Sequence, residues 1–354
     1  MASTWPAKNN YATGDVLTAA NMNGVGDDLN DVYNFSGYAA GKNKILNSDF
    51  GIWQRGTSFT NPTVNQYVSD RWYFGGGSNL TGTISAQTFT AGTAPVSGYE
   101  GTYFYRITGT ATTPTLQQPI EDVRTFAGQT VTISFWAKAS TNLSLGSINL
   151  YQNFGSGGSA GVNNTSSGAS IDLTTSWQRF SKTITIASIS GKTIGTNSSL
   201  TAIINMPNLS STTIDFWGVQ LEAGSTASIF QTATGTKQGE LAACQRYYWR
   251  AISGGLYGAL GISGYVVNAT TANINVNYPV LMRTTPTSVD YSTLTIQDSA
   301  AGLYTISAVG INTDITNNYI GGLNITISGA TSGRWARMLG NNSATAYIGF
   351  SAEL

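Results

Sequence analysis

The chain has 354 residues, enough for two domains with cores of their own plus a short extension. Its 17 basic and 17 acidic residues cancel, and charged residues make up only 10% of it. Without a counterion-release contribution, neither a nucleic-acid backbone nor an anionic membrane is an expected partner.

The absence of His and the single Cys244 exclude Ser-His-Asp and Cys-His catalysis, a Cys-based zinc site and an intrachain disulfide framework. Solubility must come from Ser, Thr, Asn and Gly, which solvate strand surfaces and loops without ion pairs. No apolar run approaches the ~20 residues a spanning helix needs, so no membrane insertion is expected. Met1 to Trp5 lack the basic and apolar parts of a signal peptide, which implies synthesis in a cytoplasm.

In chain order, an extended start reaches Tyr11, and then Met22, Val25, Leu29 and Val32 recur with helical spacing. Thr18 is the expected N-cap. Gly24 and Gly26 each cost about 1 kcal/mol relative to Ala in a helix interior, so this helix needs packing to persist. Folding back onto its own domain and docking on a larger assembly both satisfy that need.

The stretch from Asn43 to Trp72 is the most distinctive. Ile45, Phe50, Ile52 and Trp53 are apolar anchors, Asn61-Pro62 breaks the run, and Tyr67-Val68 re-enter strand-like composition before Asp70-Arg71-Trp72. A strand–loop–strand unit is expected here. From Lys42 to about Gly235 short alternating runs take over: Tyr103/Tyr105/Ile107, Val131/Ile133/Phe135, Ile184/Ile186, Leu200/Ala202/Ile204/Met206 and Ile214/Phe216. Period two means one buried face per strand, and the lack of long crossover helices favours an antiparallel sandwich.

A helical turn is expected through Glu240 to Ala243. Beyond it Ile274, Val276, Tyr278, Val280 and Met282 alternate, with Pro279 marking an edge or bulge. The reading is therefore mainly β, with an N-terminal segment 1–41, an antiparallel β-sandwich over 42–235 and a smaller C-terminal β-domain over 236–354.

The phrases NSDFGIWQRG and SDRW, with TISFWAKAS, TSWQRFSKTITI and DFWGVQLEAG further on, resemble the jelly-roll domain of bacteriophage tail-fibre and minor virion structural proteins, itself similar to carbohydrate-binding modules. CQRYY and the closing YIGFSAEL resemble the distal part of the same proteins. The resemblance implies a virion protein, a tail or head fibre, that attaches to the particle by its N-terminus and contacts host-surface polysaccharide. It also implies a homotrimer, made in the bacterial cytoplasm and released by lysis.

Candidate chemistry follows from residue types. Tyr73, Tyr257, Tyr265 and Trp335 sit beside glycine-rich or turn segments, where rings stack on sugar faces most readily. Trp53, Trp72, Trp136, Trp177 and Trp217 lie in or beside strands and read as core.

Asp49, Asp70, Glu121, Asp122, Asp215 and Glu222 are the carboxyls from which a glycan-cleaving pair would be drawn, an enzymatic alternative to the non-enzymatic reading. A decoration or connector protein without receptor is the other alternative. No cofactor is expected, although the resemblance points to Asp49 and Glu222 as candidates for a structural calcium ion, which takes six to eight oxygens. Gly155–Gly161 and Ser190–Thr193 look like phosphate loops but lack the helix and the first glycine such a loop requires.

Overall fold

Period-two alternation becomes strands through most of residues 40–354, the part of the chain that the computed structural model describes, Ile262 excepted. The helix expected through Met22, Val25, Leu29 and Val32 lies outside the described residues.

The strands of the first unit are β1 (Ser58–Thr60), β2 (Gln66–Tyr67), β3 (Tyr73–Gly75), β4 (Thr81–Thr88), β5 (Tyr103–Ala111), β6 (Thr115–Glu121), β7 (Thr130–Ala139), β8 (Leu143–Leu145), β9 (Ile148–Asn153), β10 (Val162–Thr165), β11 (Ile171–Leu173), β12 (Gln178–Thr185), β13 (Ser199–Asn205) and β14 (Leu209–Ala223). They form two six-stranded antiparallel sheets, β1-β4-β5-β14-β7-β12 and β10-β9-β13-β6-β3-β2, with β8 and β11 as a separate pair. The chain crosses repeatedly from one sheet to the other, from β5 to β6 to β7 and from β12 to β13 to β14. That connectivity is a jelly roll.

Inward residues of both sheets fill one core, including Tyr105, Ile107, Val131, Ile133, Phe135, Leu200, Ala202, Ile204, Ile214 and Phe216. The expected alternation therefore holds in these strands. Trp136 points to the opposite face of its sheet and meets Trp217, Phe89, Phe104 and Phe230 in a second apolar layer. Gly218 makes this layer fit: it sits at φ 64° where β14 shifts register, and a Cβ there would come within 2.7 Å of the Trp136 ring.

The stretch Asn43–Trp72 departs from the strand–loop–strand expectation. Only β1 and β2 are extended, and residues 43–57 are turns and irregular backbone packed inward, with Ile45 and Phe50 fully buried. Asn47 takes the place of a sheet ladder. It stands at φ 49°, its amide nitrogen donates to the Ile52 and Asp70 carbonyls and to Ser69 Oγ, and its oxygen accepts from Ile52 N–H. Its carbonyl accepts from Trp72 Nε1, and its backbone N–H donates to Glu240 Oε2 at 2.8 Å. One side chain thus ties NSDF to SDRW, because an Asn carries both donors and acceptors and tolerates the left-handed region.

Glu240 belongs to α1 (Lys237–Gln245), which starts where Thr236 accepts from Gly239 N–H and which contains the expected turn through Ala243. The strands after it are β15 (Tyr248–Ile252), β16 (Ala259–Gly261), β17 (Ser263–Asn268), β18 (Thr271–Asn277), β19 (Ser288–Ser292), β20 (Leu294–Asp298), β21 (Leu303–Thr305), β22 (Ala308–Ile311), β23 (Ile320–Thr326), β24 (Ala336–Gly340) and β25 (Tyr347–Ser351). They make three sheets, β15-β25-β19, β16-β24-β20-β21 and β17-β18-β23-β22, around a core of their own that includes Ile274, Val276, Leu323, Ile325, Ile348 and Phe350. The alternation read from Ile274 through Met282 stops being a strand at Asn277. Pro279 has no N–H to give a ladder, and the chain turns away.

The chain end returns to the sandwich. Arg71, 1% exposed and at φ 68°, pairs with Glu353, donates to the Pro119 carbonyl on β6 and lies over the Tyr247 ring at 3.5 Å. Arg55 pairs with Glu353 at 3.2 Å and covers the Tyr248 ring at 3.6 Å. Removing the carboxylate leaves two guanidiniums without their shared anion, and breaking a buried pair by removing one partner costs about 3–5 kcal/mol. Chemical denaturation of Glu353→Gln is expected to show a loss of that order; a change below about 0.5 kcal/mol, the range of ordinary surface substitutions, would refute the assignment.

Burial pushes the Asp70 carboxyl up from 3.8 to about 6, against the pull of Arg55 and the bonds from Gln54. The folded state then holds this proton more tightly than the unfolded chain, so the contribution is full below pH 3.8 and lost as pH rises through 6. Melting curves between these limits should show Asp70→Asn with a flatter fall in stability as pH rises, by about 3 kcal/mol in total.

Candidate functional site

The outward face of the sheet β10-β9-β13-β6-β3-β2 is built from residues that alternate with the core. Leu116, Gln118, Leu200, Ala202, Leu150 and Gln152 point in and are buried. Their neighbours align across the strands in two rows. Tyr67, Tyr73, Gln117, Ile203 and Asn149 form one, and Pro119, Thr201, Tyr151 and Asn163 the other.

The Tyr67 and Tyr73 rings lie 5.3 Å apart on adjacent strands. Tyr73 Oη donates to Gln117 Oε1 at 2.6 Å, and Gln117 Nε2 donates to Thr115 Oγ1 at 2.7 Å. Tyr67 Oη donates to the Leu354 carbonyl at 3.1 Å. Burial pushes the Tyr73 phenol up to about 12 and raises that of Tyr67 as well. Both rings stay neutral donors at ordinary pH. A cleft of about 200 Å³ opens between Asn65, Tyr67, Tyr73, Pro119, Thr201 and Leu354. Tyr151, 36% exposed, lies across the same face on β9, flat against Gly161, where any Cβ would strike its hydroxyl.

Flat rings beside neutral donors and acceptors stack on the apolar faces of sugars and bond their hydroxyls. Among the described residues none of those lining the cleft is Asp, Glu, Lys or Arg, although the Arg55 guanidinium lies over the Tyr67 ring at 5.2 Å.

The four aromatic candidates fall in three places. Tyr73 belongs to this face. Tyr265 and Trp335 come together in the C-terminal unit, bridged as antiparallel partners with 51% and 47% of their surfaces exposed. Tyr257, also exposed, stands on the turn before β16, apart from both groups. Tyr67, Tyr151 and Gln117 were not singled out from the sequence. The alternation of Ile148–Asn153 carries the signal that Tyr151 faces outward, but nothing local shows that β9 and β3 share a sheet.

Each carboxyl considered for catalysis has a partner of its own. Asp215 takes a bidentate pair from Arg106, Glu121 pairs with Arg246, Asp122 with Arg124, and Asp70 accepts from Gln54 N–H and Nε2. Among the described residues no hydrogen bond joins two of them. The calcium candidates stand apart as well. Asp49 accepts from Tyr99 Oη and Gly51 N–H, and Glu222 accepts from Gln220 Nε2 and from the N–H and Oγ of Ser228 and pairs with Lys42. No group of three His, Cys, Asp or Glu side chains suited to a metal occurs among the described residues. The two glycine-containing loops pair with each other: Ser159 N–H donates to the Thr193 carbonyl, and Thr193 N–H to Ser159 Oγ.

No family model matches the chain, and no curated protein does. Among solved structures it is similar to a CBM4 carbohydrate-binding module, at 21% identity over 51% of this chain and 99% of that one, with a TM-score of 0.29. A CBM22-1 xylan-binding domain from Paenibacillus barcinonensis matches at 15% identity, over 47% and 93% of the two chains, with a TM-score of 0.31. The enzymatically active domain of bacteriophage CBA120 tailspike protein 4 matches at 12% identity, over 52% of this chain and 22% of that one, with a TM-score of 0.33. The class defined by the sheets themselves is an antiparallel jelly-roll sandwich followed by a smaller β unit.

The Tyr73–Gln117 bond predicts a mild effect of its loss. Tyr73→Phe should cost about 1 kcal/mol in thermal unfolding while keeping the ring, because one neutral hydrogen bond is removed from a half-buried site. A loss of several kcal/mol would show that the hydroxyl instead anchors the sheet.

Proposed function

We propose that this chain is a non-enzymatic bacteriophage virion protein, a tail or head fibre, that contacts neutral host-surface glycan through the outward face of its jelly roll. The observation that carries the reading is the row Tyr67–Tyr73–Gln117 beside a cleft, with Tyr151 across the same face. The resemblance of NSDFGIWQRG and SDRW to phage jelly rolls supports the virion assignment. In this reading the N-terminal segment attaches to the particle and the chain is a trimer.

Adhesion then works by multiplicity. A shallow face with two or three rings binds a sugar weakly, and several copies on one particle raise avidity by about 10² to 10⁴ without any new contact.

The test is a glycan array printed with bacterial surface polysaccharides, probed with the wild-type chain and with Tyr67→Ala/Tyr73→Ala. Wild type is expected to bind and the double variant to lose about tenfold in affinity, the consequence of removing roughly 1.4 kcal/mol of ring–sugar contact. Unchanged binding by the variant would move the contact off this face. Shortened polysaccharide after incubation, read by size, would overturn the non-enzymatic assignment.

A further inference from the structure

The sheet β17-β18-β23-β22 presents a second surface of unusual composition. Its four strands read SGYVVN, TANINVN, IGGLNIT and AVGI, without one charged residue. On β18 the inward Ala272, Ile274 and Val276 are buried, and the outward positions between and after them are Asn273, Asn275 and Asn277.

Asn is depleted from strands, and Thr or Ser would solvate this face at less cost. Nothing intramolecular explains the repetition. The three side-chain amides make no hydrogen bond to the described residues, and Asn273 Oδ1 is buried without a partner. An unmet buried acceptor costs about 1–3 kcal/mol, which applies to Asn273 alone, since Asn275 and Asn277 are exposed.

Rings stand at both ends of this row. Tyr265 is the cross-strand partner of Asn273, and Trp335 bridges to Tyr265 from beyond the sheet edge. On the other side of Asn273 lies Asn324, whose oxygen accepts from Asn312 Nδ2. At the far end a recess of about 480 Å³ is lined by Trp249, Ala251, Ser263, Asn275, Asn277 and Ile320. From Asn273 to Asn277 the strand spans about 13 Å, the reach of a short oligosaccharide rather than of one ring. The charges flanking Trp335 are already matched, Arg334 donating to Asp298 at 2.7 Å.

We infer that this face is a second glycan-binding strip, taking an extended, uncharged oligosaccharide. The rings of Tyr265 and Trp335 stack on a sugar at one end, Trp249 lines the recess at the other, and the Asn273 amide nitrogen with the exposed amides of Asn275 and Asn277 bonds hydroxyls between them. Amides donate and accept, as hydroxyls do, and a sheet free of charge gives an acidic polymer no counter-ion. A second copy of the chain would bring the same amides to pair with these, and it is told apart from a glycan by the mass in solution measured below. The ligand class rests on the glycan reading above, but the surface is separate, so the two stand or fall apart.

The experiment is isothermal titration of four full-length proteins with cello-, xylo-, manno- and galacto-hexaose, and with oligogalacturonate as the acidic control. The proteins are wild type, Tyr67→Ala/Tyr73→Ala, Tyr265→Ala/Trp335→Ala and Asn275→Ala/Asn277→Ala, each checked by melting and by mass in solution. Wild type is expected to bind at least one neutral hexaose and not the acidic one. Both C-terminal variants should bind it about tenfold more weakly while melting as wild type does. The jelly-roll variant should keep this site. If only the C-terminal variants lose affinity, the strip stands and the jelly-roll contact fails; if only the jelly-roll variant does, the strip is overturned. It is overturned too if no neutral hexaose binds, or if Tyr265→Ala/Trp335→Ala dissociates an oligomer and leaves sugar binding unchanged.

Discussion

Arg71 is buried where the jelly roll, the helical linker and the chain end meet, and its charge must be satisfied there. Burial opposes that charge, and Glu353, ahead of Tyr67, more than restores it. Its three attachments, to Pro119 on the sandwich, to the Tyr247 ring and to Glu353 at the C-terminus, come from segments far apart in the chain. A buried ion pair adds little net stability compared with apolar packing. What it supplies is a defined seat, because a guanidinium fork accepts few geometries. Arg55, over Tyr248 and paired with the same carboxylate, reinforces that seat.

This junction gives a physical sense to the distinctive stretch Asn43–Trp72. Apart from β1 and β2, its residues form a plug of turns and irregular backbone packed against the sandwich. Asn47 ties the turn to Ser69, Asp70 and Glu240, and Gln54 reaches both Asp70 and the Tyr248 carbonyl. A mutation at Asn47, Gln54 or Asp70 would act on the coupling of the two β units.

The aromatic residues divide by the same logic. Trp72, Tyr105 and Phe216 fill the space between the sheets, and Trp136, Trp217 and Phe230 seal the outside of one sheet under loops. That leaves the other sheet face of the jelly roll, and the uncharged sheet of the C-terminal unit, with rings turned to solvent. In a chain with so few charges, exposed rings and amides are what these surfaces have to offer a partner.

Period-two alternation in runs such as Val131–Phe135 and Leu200–Met206 was enough to assign strands and their buried faces, because side-chain direction along a strand is a local property. The burial of Trp72, Trp136 and Trp217 was also legible, and Trp53 and Trp177, read as core with them, pack half-buried against the same clusters. The alternation through Met282 misled, since apolar period continues past the point where Pro279 ends the ladder. The plug around Asn47 was invisible, because its order comes from one side chain bonding to residues up to 193 positions away. Sequence composition alone determined a charge-poor β protein with rings and amides to spare. Only the tertiary structure decided that Tyr67, Tyr73 and Tyr151 share a face and that Trp335 meets Tyr265, because strand order across a sheet is set by long-range pairing that no local pattern encodes.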